Sequence, residues 1–83
     1  MQKLKNNINL GNNLRLIRNK HEYTQDQIIA QLDSFDIVIT RSTYSRYETG
    51  EMNIPVAVLI ALHQIYKCSY DSFFDGLYLV RRK

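Results

Sequence analysis

An all-α fold of five helices is what this sequence predicts, and three observations predict it. Apolar residues recur at helical spacing through most of the chain. Thr24, Thr40 and Ser69 each stand just before such a stretch, where a side-chain hydroxyl can accept a hydrogen bond from a first-turn N–H. No segment supports a strand assignment. The first helix is expected from about Asn7 to His21, with Leu10, Leu14 and Ile17 at i, i+4 and i+7 facing the core. Gly11 inside it costs about 1 kcal/mol relative to Ala, so a packing reason is expected. His21 closes that helix, where a cation suits the dipole. The second helix, Gln25 to Leu32, opens on a capping box of Thr24 and Gln27. Tyr23 with Ile28 forms a hydrophobic staple, and Ile28, Ile29 and Leu32 make the inward stripe.

The third helix, Arg41 to Thr49, has two faces of different chemistry. Thr40 is its N-cap, Ile39 and Tyr44 form a second staple, and Gly50 supplies a left-handed residue to end it. Tyr44 and Tyr47, three apart, form the apolar stripe. Arg41, Ser42, Ser45 and Arg46 form the other face, cationic or short donors with no acid among them. A helix that buries aromatics and presents Arg and Ser suits insertion into the major groove of DNA. The fourth helix has Pro55 in its first turn and runs through Leu59 and Leu62 to about Tyr66. Ser69 caps a short fifth helix ending near Asp75 and Gly76. Residues 77–83 alternate weakly, leaving open a helical extension, a strand paired across a dimer or a loose tail.

Composition narrows the function. A chain of 83 residues holds one core, so residues 1–83 are expected to form a single domain. The polar start, Met1 to Asn7, has no apolar segment of a signal peptide behind it, and no apolar run is long enough to span a bilayer. Cys68 is alone, which excludes an intramolecular disulfide and multi-cysteine metal sites, and it reads as a small core residue in a reducing cytoplasm. His21 and His63 have no partners as a metal or catalytic set. With only Gly11, Gly50 and Gly76 there is no phosphate-binding glycine loop, and no carboxylates pair in a cleft motif. Neither catalysis nor a cofactor is expected. The formal charge of +3 is unevenly placed. Lys3, Lys5, Arg15, Arg18, Lys20, Arg41 and Arg46 outnumber the acids of residues 1–46, whereas residues 47–80 hold Lys67 alone against Glu48, Glu51, Asp71 and Asp75. The half with the second and third helices is thus the basic one, as attraction to phosphates requires.

Two short, capped helices joined by a loop fit a unit whose second helix reads bases. The residues Leu10-Gly11 with Leu14, Ile17 and Arg18, Thr24-Gln25 with Ile28, and Arg41 to Thr43 with Ser45, Arg46, Glu48 and Gly50 follow in an order that resembles the Cro/repressor (XRE-type, lambda-repressor-like) helix-turn-helix family. The closing Ser69 to Phe74 extends the likeness, which covers about residues 8–75. The chain departs from the family pattern at Asp33 to Val38, which replaces a tight glycine turn with a longer connection. Ile29 stands where a small Ala is usual, and His63 where a small residue is common.

The resemblance implies a sequence-specific regulator of transcription, a repressor of bacterial or phage type, bound to double-stranded DNA as a homodimer. It places Arg41, Ser42, Ser45 and Arg46 toward base edges. It places Gln25, Thr43, Thr49, Asn53 and Arg18 near phosphates. It also pairs Arg18, late in the first helix, with Glu48, late in the recognition helix. An antitoxin that binds a toxin, or another protein-interaction module on the same fold, is the alternative. Tyr70, Phe73, Phe74 and the 77–80 segment are the expected dimer surface, because no separate oligomerisation region is seen.

Overall fold

A computed structural model describes residues 10–79, 81 and 82. The chain forms four α-helices: α1 (Leu10–Lys20), α2 (Gln25–Asp33), α3 (Arg41–Thr49) and α4 (Val56–Tyr66). A 3-10 helix, Tyr70–Phe74, follows, and no strand is present among the described residues. The expected start of the first helix at Asn7 lies outside the described residues.

The caps act as local chemistry dictates. Thr24 Oγ1 accepts from the Gln27 N–H at 3.1 Å, and Gln27 Oε1 accepts from the Thr24 N–H at 2.8 Å, which completes a capping box. Thr40 Oγ1 accepts from the Thr43 N–H at 3.1 Å and starts α3. Gly50 ends it at φ 88°, its N–H on the Arg46 carbonyl. Pro55 is the N-cap of α4 rather than part of its first turn, and its missing N–H removes one orphan donor.

The connection that departs from the family pattern is ordered by a helix-ending motif. The Ile37 N–H reaches back to the Leu32 carbonyl at 3.1 Å and the Asp36 N–H to Asp33 at 2.9 Å. This is the Schellman pattern, with Asp36 at φ 64° in the left-handed position that glycine usually takes. Asp tolerates that conformation better than most residues, since its short side chain can hydrogen-bond locally. Ile37 then turns inward onto the core, so the longer loop returns the chain to Thr40 without leaving α3 loose.

Helix five is corrected to a 3-10 helix. Ser69 does not cap it with its side chain, because the hydroxyl lies 3.2 Å from Ser72 Oγ instead. Five residues give too few bonds to repay α-helix nucleation, and the Ser72 N–H bonds the Ser69 carbonyl in the i→i−3 pattern. Tertiary anchors hold the segment. Phe73 is fully buried, and Asn13 on α1 donates from Nδ2 to the carbonyls of Phe73 (2.8 Å) and Asp75 (3.0 Å).

The core comprises Leu14, Ile28, Leu32, Tyr44, Tyr47, Val58, Ala61, Leu62, Tyr66 and Phe73, drawn from every helix. Leu10, Ile17, Ile29, Ile39 and Cys68 pack on its edge, in keeping with the inward stripes read from the sequence. α1 packs on α3 and on the 3-10 helix, while α2 packs on α3 and α4. The approach of α1 to α3 is backbone to backbone at Gly11: a Cβ there would stand 2.1 Å from the Tyr47 carbonyl oxygen and 2.7 Å from that of Glu48. His63 is half-buried and its ring stacks on Tyr70, centroids 3.9 Å apart, which makes it a packing residue between α4 and the 3-10 helix. Phe73 belongs to the core and so leaves the proposed dimer surface, whereas Tyr70, Phe74, Tyr78 and Leu79 are exposed.

Candidate nucleic-acid interface

α3 is held by its inner face. Tyr44, Tyr47 and Glu48 are buried, while Arg41, Ser42, Arg46 and Thr49 are exposed and Thr43 and Ser45 half-buried. The burial of Glu48 depends on Arg18, itself only 9% exposed. Arg18 Nε lies 2.7 Å from Glu48 Oε2 and Nη2 lies 3.0 Å from Oε1, a bidentate pair that joins α1 to α3. Arg18 Nη1 donates to the Tyr23 carbonyl at 2.8 Å, which ties the pair to the chain entering α2. Burial alone would push the Glu48 carboxyl up, but hydrogen bonds from Arg18 and Gln25 hold it below its ordinary value. The bond to Glu48 raises Arg18 in turn. Beneath the pair, burial drives the phenols of Tyr44 and Tyr66 far above their usual range, and neither hydroxyl has a hydrogen-bond partner among the described residues.

The network continues to the surface. Gln25 Nε2, at the start of α2, donates to Glu48 Oε1 at 3.1 Å. Gln25 Oε1 faces Arg41 Nε at 3.5 Å, and Arg41 Nη1 lies 3.7 Å from Asp26 Oδ2. The Arg41 and Asp26 side chains are both largely exposed, so that contact is a weak and easily exchanged one. Arg18, Glu48, Gln25 and Arg41 thus form one polar chain that runs from the core to the outer face of α3.

The structure brings Arg41, Ser42, Ser45 and Arg46 onto one side of α3, with Gln25 beside them. Thr43 is engaged at the cap, its Oγ1 3.1 Å from that of Thr40. Thr49 Oγ1 donates to the Arg46 carbonyl and meets Glu51, and Asn53 is exposed on the loop that follows. Arg18 is not presented to the surface, since its three guanidinium nitrogens are all engaged. Two residues were not singled out from the sequence. Asn12 and Arg15 of α1 line a groove of about 360 Å³ together with Gln25, Ser45, Glu48 and Thr49. Their spacing from Arg18, one helical turn apart each, was the available signal. No group of three or more metal-ligating side chains occurs among the described residues, and no helix of the structure is long and apolar enough to cross a membrane.

Two short capped helices, the second locked by its inner face and polar outside, define a helix-turn-helix domain. A helix-turn-helix family profile matches residues 14–73, most of the chain, and the protein belongs to the XRE-type, Cro/repressor-like helix-turn-helix family. The family is one of regulators that bind double-stranded DNA. No curated protein and no solved structure gave a significant match.

Proposed function

We propose that this protein is a sequence-specific transcriptional regulator, a repressor, that reads the major groove with α3 and acts in the cytoplasm as a homodimer on DNA. One observation carries the reading: α3 is anchored by Tyr44, Tyr47 and the Arg18–Glu48 pair, while its own outer residues Arg41, Ser42 and Arg46 stay exposed with no acid among them. Asp26 of α2 makes only a solvent-exposed 3.7 Å contact to Arg41. Rigid presentation of a few donors is what base readout requires, and an Arg can pair bidentately with guanine O6 and N7. Arg41, Ser42, Ser45 and Arg46 are the base-reading residues. Gln25 takes a phosphate with its second amide hydrogen, helped by the α2 N-terminus, and Thr43, Thr49 and Asn53 border the same backbone. Arg18 is a positioning residue that acts through Glu48 and Gln25.

The test is selection of duplexes from a random pool, followed by salt titration. Affinity is expected to fall steeply from about 50 to 200 mM salt through counterion release. Arg46→Ala is expected to relax one base pair per half-site and cost roughly 1–3 kcal/mol. An unchanged selected motif and affinity for Arg46→Ala would remove that residue from base readout, and a flat salt response would remove DNA binding itself.

A single domain of this size makes a small interface, so two copies on a two-fold site are proposed, with half-sites about 34–36 Å apart. The exposed Tyr70, Phe74, Tyr78 and Leu79 supply the self-complementary surface. Removing residues 77–83 should abolish cooperative binding to a palindrome while the far-UV circular dichroism stays helical. Undiminished cooperativity after the deletion would put the contact elsewhere. The same exposed apolar residues are what would favour the antitoxin or interaction-module reading, for which co-purification of a toxin is the observation to seek.

A further inference from the structure

We infer that the groove between α1, the start of α2 and the second half of α3 is a seat for one backbone phosphate of the DNA, with Arg15 as its cation and Asn12 as its aligning amide. The inference rests on the DNA-binding reading above and adds a contact from α1 to it. The groove holds about 360 Å³ and is lined by Asn12, Arg15, Gln25, Ser45, Glu48 and Thr49. Its one carboxylate, Glu48, is neutralised by Arg18 through two hydrogen bonds, so Arg15 leaves the groove with a net formal charge of about +1.

The donors outnumber the acceptors. Arg15 Nη2 donates to Asn12 Oδ1, which turns the Asn12 oxygen toward α1 and leaves its NH2 group free to donate. Gln25 spends one amide hydrogen on Glu48 and keeps the other. Ser45, half-buried, lines the same space between the seat and the base-reading face. A phosphodiester is the complementary ligand, a monoanion whose oxygens only accept. The location fits as well. The groove borders the outer face of α3, where the wall of an occupied major groove would bring a strand of phosphates. Arg15 is exposed, with no carboxylate partner among the described salt bridges, and it stands one turn before the buried Arg18.

The experiment compares the full chain with Arg15→Gln and Lys20→Gln on the selected duplex, with single phosphates replaced one at a time by neutral methylphosphonates. Lys20 is the control because it removes an equal charge from the end of α1, beside a different groove with Cys68 and Asp71. Arg15→Gln is expected to lower the magnitude of the salt slope by about one, so its deficit against wild type shrinks roughly 3- to 4-fold between about 50 and 200 mM. One methylphosphonate position per half-site should weaken wild type and Lys20→Gln strongly and Arg15→Gln much less, because only the neutral donors of the seat remain there. The selected base motif should be the same for all three. A reduction of that position effect only in Arg15→Gln supports the seat. An Arg15→Gln protein that still senses every methylphosphonate as wild type does, or one with an altered base motif, overturns it. Failure of the wild-type chain to bind any duplex overturns the function itself, which is a distinguishable result. Inorganic phosphate alone, added up to millimolar levels, is expected to leave the Arg15 and Asn12 resonances in place. Saturable shifts there would assign the seat to a free anion instead.

Discussion

Gly11→Ala should destabilise the domain by about 3 kcal/mol or more, the upper end of what overpacking costs. Helix propensity argues the opposite sign, since Ala is favoured over Gly by about 1 kcal/mol inside a helix. Packing decides against propensity here. The added methyl would lie 2.1 Å from the Tyr47 carbonyl oxygen and 2.7 Å from the Glu48 carbonyl oxygen. These are backbone atoms of α3, which cannot rotate aside as a side-chain tip can. α1 and α3 would have to separate, which loosens the fully buried Leu14 and stretches the Arg18–Glu48 pair. For a domain of this size the change corresponds to a fall in Tm of roughly 12–24 °C. Urea unfolding followed by circular dichroism measures it. A Gly11→Ala protein as stable as wild type would show that the two backbones are not in contact.

Breaking the buried pair from one side is the second large effect. Glu48→Ala is expected to cost about 3–5 kcal/mol, because Arg18 would be left charged, 9% exposed and without its counter-ion. Arg18→Ala should cost a similar amount by stranding Glu48. Arg18→Met with Glu48→Leu should be far milder than the sum of Arg18→Met and Glu48→Leu made singly, since removing both charges also removes their desolvation cost. Additive losses in that double-mutant cycle would mean the two side chains do not interact. The pair also makes stability depend on pH. The folded Glu48 carboxyl lies below its ordinary value near 4.5, so its contribution is complete above that value and is lost as pH falls through the lower, folded one. Glu48→Gln should flatten that acid limb. Glu48→Ala should in addition weaken DNA binding beyond its effect on stability, because it removes the Oε1 acceptor from which Gln25 takes its orientation.

The longer connection after α2 illustrates how far sequence patterns reach. A tight glycine turn is absent, and the spacing alone left the angle of α3 undetermined. The structure supplies the missing residue: Asp36 adopts φ 64°, and Glu22 and Lys67 do the same at the ends of α1 and α4, at φ 61° and 55°. A left-handed residue is easy to anticipate when it is Gly50, harder when it is Asp, which only tolerates the conformation, and hardest when it is Glu or Lys, which carry no local preference for it. The 3-10 helix is a similar case. Ser69 has the composition of a cap, yet its hydroxyl goes to Ser72, and what holds the segment is Asn13, some sixty residues away in the chain.

Local chemistry by itself determined the all-helical class, the bounds of α3 and the division of its residues into an inner and an outer face. Capping bonds and i, i+3 spacing act within a few residues and are written directly in the chain. The likeness of its motifs to a known family then pointed to Arg18 and Glu48 as a pair. Only the tertiary structure decided how the polar residues are spent. Arg18 and Arg15 are the same residue type one turn apart on α1, but Glu48 buries the first and the second is left at the rim of a groove. Gln25, read from the sequence as a surface amide beside a phosphate, is also the link from Glu48 to Arg41. Such roles depend on which side chains from distant segments meet in a low-dielectric interior, where an unpaired charge is too costly to leave. That meeting follows from the packing of α1 against α3 at Gly11, and no local pattern contains it.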